Sequence, residues 1–317
     1  MSTTSSSNSR YPIPATSPEK ERLAKQYAVK KAMYGWSTAL PDDSDLIDLS
    51  AVHRVIDVGA GTCVWAFDLL SMPRRPEDMQ LYVCDINTSF FPEKAILAEF
   101  GITAFQQDVT KPFPEELRGT FDLVHASFLV GGLDADGWRA ALANYHALLK
   151  PGGLVLLDET DLIYFPEQFL LDPSAFDDDL NKHLTSPTWI HKSNCIFTGY
   201  ALQKGLVVRI TQELPTLLAS AGFAVLRSQH VVQALGPLCQ SVGGGAQAEF
   251  ESFSIQNVLG VMKPLAENML KRGALEVPPG RAVEGEDEVR VLLEEIETGV
   301  RTEGAVAPAG WFLARKE

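Results

Sequence analysis

The sequence predicts an α/β fold in which parallel strands form a central sheet and helices cover both of its faces. From His53 onward, short apolar runs alternate with helical patterns, and this alternation is typical of βαβ units. The helical pattern at 134–149 ends in the turn sequence KPGG, and an unbroken apolar run, GGLVLLDE, follows it. Such a run predicts a strand that is buried on both faces, as in a parallel sheet.

The N-terminal region predicts a tail followed by a helical cap. Residues 1–17 are rich in Ser, Thr and Pro and predict a disordered tail. Ser17, Pro18 and Glu19 supply a capping residue, a helix-compatible proline and an acid in the first turn, so a helix to about Tyr34 is expected. Residues 18–50 are therefore assigned to an N-terminal helical cap.

The remaining chain predicts one sheet interrupted by two insertions. Residues 51–159 contain five apolar runs with helical patterns between them, and predict the cofactor-binding half of the sheet. An aromatic-rich insertion, residues 160–208, is of a length that usually serves a site. We then expect a core helix and strand at 209–242, a helical lid insertion at 243–302 and a closing strand, GWFLARK, within 303–317.

Composition limits the partners that the chain can bind. The 317 residues are 45% hydrophobic with a net charge of −14, which suits a folded domain and disfavours nucleic acid and anionic membranes. No apolar run is long enough to span a bilayer and no secretory signal is recognisable, so a cytoplasmic location is expected. The four cysteines contain no Cys-x-x-Cys pair, and reduced thiols without a metal are expected.

The stretch VIDVGAGTCVWAFDLL, residues 55–70, predicts a cofactor-binding turn between a strand and a helix. Glycines let a ligand approach the backbone, and the helix N-terminus favours negative charge. A dinucleotide fingerprint requires a third glycine where this chain has Val64. Asp57 at the strand end would also repel a pyrophosphate, so a dehydrogenase is disfavoured.

S-adenosylmethionine matches the charges of this segment better. Its α-amino group suits Asp57, its carboxylate suits the helix N-terminus, and its ribose diol calls for an acid after the second strand, where Asp85 lies. Asp108 ends the third strand and is placed to accept from the adenine amino group. Asp57 and Asp108 could alternatively serve only to cap turns.

Five successive segments resemble the class I S-adenosylmethionine-dependent methyltransferases, and in particular their fungal secondary-metabolism branch, which includes the velvet-associated regulators. These segments are VIDVGAGTCVWAFDL, CDINTSFFP, FQQDVTKPFP, FDLVHASFLVGGL and HALLKPGGLVLLDE. The resemblance implies a Rossmann-like, seven-stranded, mostly parallel methyltransferase sheet with helices on both faces, an N-terminal helix and helical lid insertions. It also implies a set of residues that line the cofactor: Asp57, Gly59, Ala60, Gly61, Asp85, Ile86, Asp108, Val109, His125 and Ala126.

Two departures from that family are visible. Cys63 occupies a position where the family usually has glycine, and its Cβ could crowd either the methionine end of the cofactor or the packing of the helix. The acidic chain also lacks a Lys/Arg tract for nuclear import, which favours a biosynthetic enzyme over a nuclear regulator.

Candidate catalytic and substrate residues follow from position and residue type. Ser127 and Phe128 end the fourth strand, where they would face the transferred methyl group, whereas His125 could equally be a core histidine. In the aromatic insertion, Trp189 is a candidate pocket wall and His191 a candidate general base, with lid packing as the alternative role. The spacing of Tyr27 and Tyr34 in the N-terminal helix is explained by ordinary core packing; by the resemblance, this helix would alternatively close over the cofactor and bring Tyr34 to the substrate. The acids at 177–179 are expected to start a solvated helix, and no metal site is predicted.

Three hypotheses about function follow. The first is an S-adenosylmethionine-dependent methyltransferase acting on the O or N atom of a small, largely apolar natural-product intermediate in fungal secondary metabolism. The second is a methyltransferase-like regulatory protein that acts through partner proteins. The third is an enzyme that uses S-adenosylmethionine without methyl transfer, for example in a rearrangement or cyclisation. Whether the chain forms a homodimer is left open.

Overall fold

The fold was examined in a computed structural model, which describes residues 16–42, 46–171, 179–278 and 280–317. The strands are β1 (Arg54–Val58), β2 (Gln80–Asp85), β3 (Ile102–Gln106), β4 (Phe121–Ser127), β5 (Leu149–Thr160), β6 (Phe223–Leu235), β7 (Glu276–Val277), β8 (Arg281–Ala282) and β9 (Ala305–Lys316). The helices are α1 (Ser17–Tyr34), α2 (Val64–Ser71), α3 (Lys94–Glu99), α4 (Ala135–Leu148), α5 (Trp189–Gln203), α6 (Ile210–Ser220), α7 (Glu251–Lys271) and α8 (Glu286–Thr302).

Seven of these strands form one sheet in the order β3-β2-β1-β4-β5-β9-β6, and β7 pairs with β8 in a separate hairpin. The first five strands of the sheet are parallel, whereas β9 lies antiparallel between β5 and β6. The predicted seven-stranded, mostly parallel sheet is therefore confirmed. Strand β9 begins earlier than the GWFLARK segment, because the apolar residues before Gly310 also pair along β6.

Several element boundaries differ from the sequence prediction for local reasons. Helix α1 is capped by Thr16, whose hydroxyl accepts from the Glu19 amide, so the cap lies one residue before the predicted Ser17. Within the predicted lid insertion at 243–302, helix α7 begins only at Glu251, because a short 3₁₀ turn at 248–250 precedes it. Helix α5 lies inside the aromatic insertion, for which only a helix start at 177–179 was predicted. The predicted tail up to residue 15, and Asp177 and Asp178, lie outside the described residues.

Three apolar clusters hold the molecule together. One lies on the sheet face covered by α4 and α6, and a second lies on the face covered by α1 and α2. The third joins α5, α7 and α8 around fully buried residues such as Ile196, Met262 and Ile296. The two insertions thus pack against each other as one helical layer beside the sheet, instead of forming two separate lids.

Candidate functional site

A cavity of about 300 Å³ lies at the carboxyl ends of the parallel strands. One part of its wall comes from the ends of β1, β2 and β4 and from the loops that follow them. The other part comes from α1, α5, β6 and α7, so that the helical layer closes the cavity opposite the sheet. Open α/β sheets bind ligands at this edge, because helix N-termini and strand-end side chains converge there.

The glycine turn after β1 gives the cavity a wall of bare backbone. Gly59 and Gly61 adopt left-handed φ values of +70° and +51°, which residues with a Cβ rarely adopt. A Cβ on Gly59 would lie 2.5 Å from the Leu129 side chain. Gly61 donates its amide hydrogen to Asp85 Oδ2 at 3.0 Å, so the turn and the end of β2 are fixed to each other.

Two strand-end acids face the cavity in different environments. Asp85 Oδ1 accepts from the Asn87 amide at 2.8 Å, and burial raises the pKa of Asp85 above its ordinary value. Each of its oxygens keeps acceptor capacity, which suits two vicinal hydroxyl groups. Asp108 Oδ1 accepts from the backbone and the hydroxyl of Thr110, so it caps a turn and also lines the cavity.

Cys63 does not contribute its side chain to the cavity. Its φ is +61°, so a residue with a Cβ occupies a left-handed position where glycine is usual. The side chain is fully buried in the apolar cluster with Val55 and Trp65, and burial raises the pKa of its thiol. The predicted crowding of the methionine end by this side chain is therefore not observed.

A buried polar cluster lies beneath the wall formed by β4. Asp158 of β5 is completely buried, and three groups lie within hydrogen-bond distance of its two oxygens. Lys30 Nζ donates to it at 2.7 Å and Ser127 Oγ at 2.6 Å, and His125 Nε2 lies 3.2 Å away. Although burial alone would raise the pKa of Asp158, the Lys30 ammonium and His125 lower it below the ordinary value. Lys30, Ser127 and His125 line the cavity, and Asp158 anchors them from behind.

The imidazole of His125 is fixed from both sides. Its Nδ1 lies 2.7 Å from Asp57 Oδ1, and its ring stacks on Trp65 with a centroid distance of 3.8 Å and an angle of 3°. Because an ionised carboxylate only accepts, Nδ1 carries a proton. Nε2 can then accept from Lys30 Nζ, 3.4 Å away, or can itself be protonated and donate to Asp158. Both protonation states of the ring find hydrogen-bond partners.

The loop after β4 is held in place by a buried carboxylate. Glu159 accepts from the backbone amides of Leu129 at 2.7 Å and Val130 at 3.1 Å. Burial raises its pKa well above the ordinary value. Phe128, immediately before these residues, has a φ of +53°, which is strained for a bulky side chain. The structure thus maintains a costly backbone conformation at the edge of the cavity.

Comparison of the sequence with known protein families agrees with this geometry. Residues 56–155 match a family described as a methyltransferase domain. This part of the chain is therefore similar to a methyltransferase domain. This finding confirms the resemblance seen in the sequence, and S-adenosylmethionine is the cofactor that the resemblance implies.

The chain is similar to fungal methyltransferases and to a fungal regulator of secondary metabolism. "Methyltransferase grgD" of a Penicillium species is 34% identical over 36% of this chain and 41% of that protein. "N-methyltransferase tcpN" of Claviceps purpurea is 31% identical over 47% of this chain and 51% of that protein. "Secondary metabolism regulator laeA" of Fusarium oxysporum is 25% identical over 68% of this chain and 64% of that protein. The matches to the first two relatives thus span about half of those proteins or less.

Most of the predicted cofactor residues of the methyltransferase domain lie together at the cavity. Nine of the ten line it: Asp57, Gly59, Ala60, Gly61, Asp85, Ile86, Asp108, Val109 and His125. Ala126 does not, because the alternation of side chains along β4 points it into the apolar core on the other face. Ser127 and Phe128, predicted to face the substrate, also line the cavity.

Three other predicted residues lie away from the cavity wall. Tyr34 is buried behind it and donates its hydroxyl hydrogen to Gly310 O at 3.0 Å. Trp189 packs against Gly299 of α8 and donates to Glu303, so it joins helices of the outer layer. His191 lies two residues further along α5, where its Nδ1 accepts from the Ser186 amide at 2.9 Å. Its position near the start of α5 gives it a structural contact rather than access to the cavity.

The sequence analysis did not identify Lys30 or Asp158. Lys30 is one of several lysines in α1, and only the tertiary fold shows that this one is 1% exposed. Asp158 had a visible signal, because it directly follows the apolar residues of a run that was already predicted to be a buried strand. A buried carboxylate requires a partner, so that run itself implied an unidentified cation or donor.

Two absences hold for the described residues. No group of three or more His, Cys, Asp or Glu side chains there is arranged to hold a metal ion. No helix within the described ranges has both the length and the apolar character that a membrane crossing requires.

Proposed function

We propose that this protein transfers the methyl group of S-adenosylmethionine to an O or N atom of a small, largely apolar natural-product intermediate in fungal secondary metabolism. The observation that carries the proposal is the two-part cavity, in which glycine backbone and strand-end acids adjoin an apolar chamber. The methyltransferase domain and the fungal relatives support the same reading.

The cofactor fits the first part of the cavity by its chemistry. The Asp85 carboxylate would bind the ribose diol, Asp108 with Val109 would bind the adenine, and Asp57 would attract the α-amino group. The backbone of the glycine turn and the start of α2 would receive the carboxylate. When bound, the cofactor supplies an electrophilic methyl group on a positively charged sulfur.

The second part of the cavity suits an apolar acceptor. Its lining includes Leu162, Tyr164, Phe197, Tyr200, Leu235, Val261 and Leu265. These residues come from the two insertions and from β6, so we assign acceptor selection to residues 160–208 and 243–302. Enclosure by such side chains excludes water and holds the acceptor in line with the methyl group.

Lys30 and His125 are placed to remove the proton that the acceptor must lose. The lone pair of the acceptor atom forms the new bond to carbon, while the electrons of the broken carbon–sulfur bond remain on sulfur. The ammonium of Lys30 would pass a proton to His125 Nε2 and take up the acceptor proton in its place. The resulting imidazolium would donate to Asp57 and Asp158, which already lie at hydrogen-bond distance. This assignment replaces the predicted base His191.

The proposal is tested first by calorimetric titration with S-adenosylmethionine, S-adenosylhomocysteine and NAD. We expect both sulfur compounds to bind and NAD not to bind, and Asp85→Ala to weaken binding about tenfold or more, because it removes a charged acceptor for hydroxyl groups. The exposed acid Glu99 on α3 provides the control, and Glu99→Ala should bind like the wild type. No binding of either sulfur compound would refute the proposal.

Transfer is tested by incubating the protein with methyl-labelled S-adenosylmethionine and a panel of phenols, carboxylic acids and amines. A product that carries the labelled methyl group supports the proposal. A product formed without label would instead identify an enzyme that uses the cofactor without methyl transfer.

A second candidate function rests on the similarity to the laeA regulator, which extends over 68% of this chain. In that case the chain would bind the cofactor and act through partner proteins. Stable association with a defined partner, together with cofactor binding but no turnover of any acceptor, would favour it.

A further inference from the structure

Gln233 is a buried polar side chain that faces the cavity without a partner. It lies in β6 with 7% of its surface exposed, and it lines the apolar part of the cavity beside Leu235. The buried charged side chains and the imidazole on the cavity wall have hydrogen-bond partners, but the Gln233 amide bonds to none of the residues that the structure describes. Its backbone pairs with Ala307 in the sheet, so the side chain is held by a rigid strand.

Asn257 presents a second incompletely used amide to the same cavity. It lies in α7 with 9% of its surface exposed, and its Oδ1 accepts from Arg22 Nη1 at 2.7 Å. Because a guanidinium only donates, this bond fixes which end of the Asn257 amide is the oxygen. Its Nδ2 has no hydrogen-bond acceptor within the described part of the chain.

An unpaired amide in an apolar chamber requires a ligand group that matches it. Leaving a buried donor or acceptor unpaired is costly, so such groups normally find a partner when the site is filled. Gln233 offers one acceptor and two donors on a planar group, and Asn257 offers further donors. A neutral group with a carbonyl and an N–H side by side satisfies these together, whereas a charged group would be buried without a counterion from either amide.

We propose that Gln233 is an acceptor-recognition residue, and that it selects acceptors with a neutral amide or lactam edge. This inference rests on the proposed function, because it assigns the apolar part of the cavity to the acceptor. Gln233 does not take part in the transfer itself. It positions the acceptor by pairing with a group away from the atom that is methylated, and Asn257 Nδ2 supplies an additional donor to the carbonyl.

The test uses three probes of nearly equal shape on protein saturated with S-adenosylhomocysteine. Oxindole carries a lactam edge, 2-indanone carries only the carbonyl, and indane carries neither. Their dissociation constants are measured by NMR titration, following the side-chain amide signals of Gln233 and Asn257. We expect oxindole to bind about tenfold more tightly than indane, with 2-indanone between them.

Two variants separate the effect of hydrogen bonding by the Gln233 amide from the effect of the probe's shape. Gln233→Leu should remove the preference for oxindole while leaving the affinity for indane and for S-adenosylhomocysteine within twofold. Gln229→Leu alters a glutamine of the same strand that lies outside the cavity, and it should keep the preference.

Three outcomes would overturn the inference. One is equal affinity for oxindole and indane, including no measurable binding of any probe up to its solubility. Another is a preference for oxindole that persists in Gln233→Leu. The third is a Gln233 amide signal that does not shift on oxindole binding, which would mean that water occupies the site. Failure of the proposed function is distinguishable, because S-adenosylhomocysteine itself would then not bind.

Discussion

Lys30 is the residue whose burial most constrains the site. Its ammonium is 1% exposed and bonds to a carboxylate that is completely buried, and the Tyr27 and Trp36 rings lie 5.2 and 5.6 Å from its nitrogen. A buried ion pair adds little net stability, but removing one partner leaves the other charge without compensation. Lys30 therefore joins α1 to the sheet through Asp158, and it also belongs to the group proposed to remove the acceptor proton.

We predict that Lys30→Met lowers the free energy of unfolding by about 3–5 kcal/mol, because Asp158 then stays buried without a cation. The double variant Lys30→Met/Asp158→Asn should recover most of this loss. Unfolding in urea measures both effects. Lys31→Met is the control, since Lys31 pairs with Asp68 at the partly exposed surface and should change stability by less than about 1 kcal/mol. A double variant no more stable than the single one would contradict the argument.

Asp161 makes stability depend on pH. Burial raises its pKa from 3.8 to about 7, against the opposing effect of hydrogen bonds from Thr211. Between about pH 4 and 7 the unfolded carboxyl ionises while the folded one keeps its proton, so this group's stabilising contribution is lost as pH rises. The loss amounts to about 4 kcal/mol and is complete above about pH 7.

Asp161→Asn should remove this contribution. We predict that the stability of the variant relative to the wild type rises by about 3 kcal/mol between pH 4.5 and 7.5. The measurement is urea unfolding at both pH values, in which the shifts of other groups such as Glu159 cancel in the difference. The exposed Asp136 gives the control variant Asp136→Asn, whose stability relative to the wild type should not vary with pH. If the stability of Asp161→Asn relative to the wild type also stayed constant with pH, the raised pKa of Asp161 would be refuted.

Among the elements, the contact between α5 and α8 depends on one glycine. Gly299 lies in α8 directly against the Trp189 ring, and a Cβ there would overlap the ring atoms. Gly260 in α7 has space around it, since its nearest neighbour to such a Cβ is an Arg22 side-chain atom at 3.8 Å.

We predict opposite effects of alanine at these two helical glycines. Gly299→Ala should destabilise the protein by about 1–3 kcal/mol through overpacking. Gly260→Ala should stabilise it by up to about 1 kcal/mol, because alanine has the higher helix propensity and nothing obstructs it. Thermal or urea unfolding of the two variants checks this, and a stabilised Gly299→Ala would show that the outer helical layer is loosely packed.

The elements with strong periodicity were predictable from the sequence, and those set by tertiary contacts were not. The strands from β1 to β5 and helices α4 and α8 follow from apolar patterns and end signals. Helix α5 was missed because buried residues occur along most of its length, polar ones included, so that no single polar face marks it. Strand β9 was too short in the prediction, because Pro308 indicates a break although the strand continues through it.

For the site, residues in the strand-turn-helix segment were predictable because spacing along the chain fixes their positions. Asp57, Gly59, Gly61 and Asp85 belong to this class. Lys30 and Gln233 could not be found in the same way, since α1 and β6 reach the cavity only through the tertiary fold. Trp189 and His191 were predicted at the cavity but lie away from it. Residue type alone suggested a pocket position for them, and their places in α5 direct their side chains elsewhere.

At the scale of the whole molecule, the cofactor should bind a surface that joins α1 to the sheet. We predict that S-adenosylhomocysteine at about one hundred times its dissociation constant raises the free energy of unfolding by about 2.7 kcal/mol. Hydrogen exchange should slow in α1 as well as in the turn after β1, because Leu23, Gln26 and Lys30 form part of the cavity wall. Exchange in the solvent-facing part of α8 is the internal control. Protection confined to the turn would show that α1 opens independently of the cofactor.

The position of β9 has a consequence for how the molecule is made. This strand lies between β5 and β6, and its residues 305–316 follow every other strand of the sheet along the sequence. On a ribosome, β6 would therefore emerge before β9, the strand with which it pairs in the described sheet. The chamber that includes Gln233 and Ala307 cannot close until β9 has emerged, whereas the glycine turn and Asp85 can assemble much earlier. A nascent chain should complete the edge proposed for the cofactor first, and the chamber proposed for the acceptor only after β9 has paired with β6.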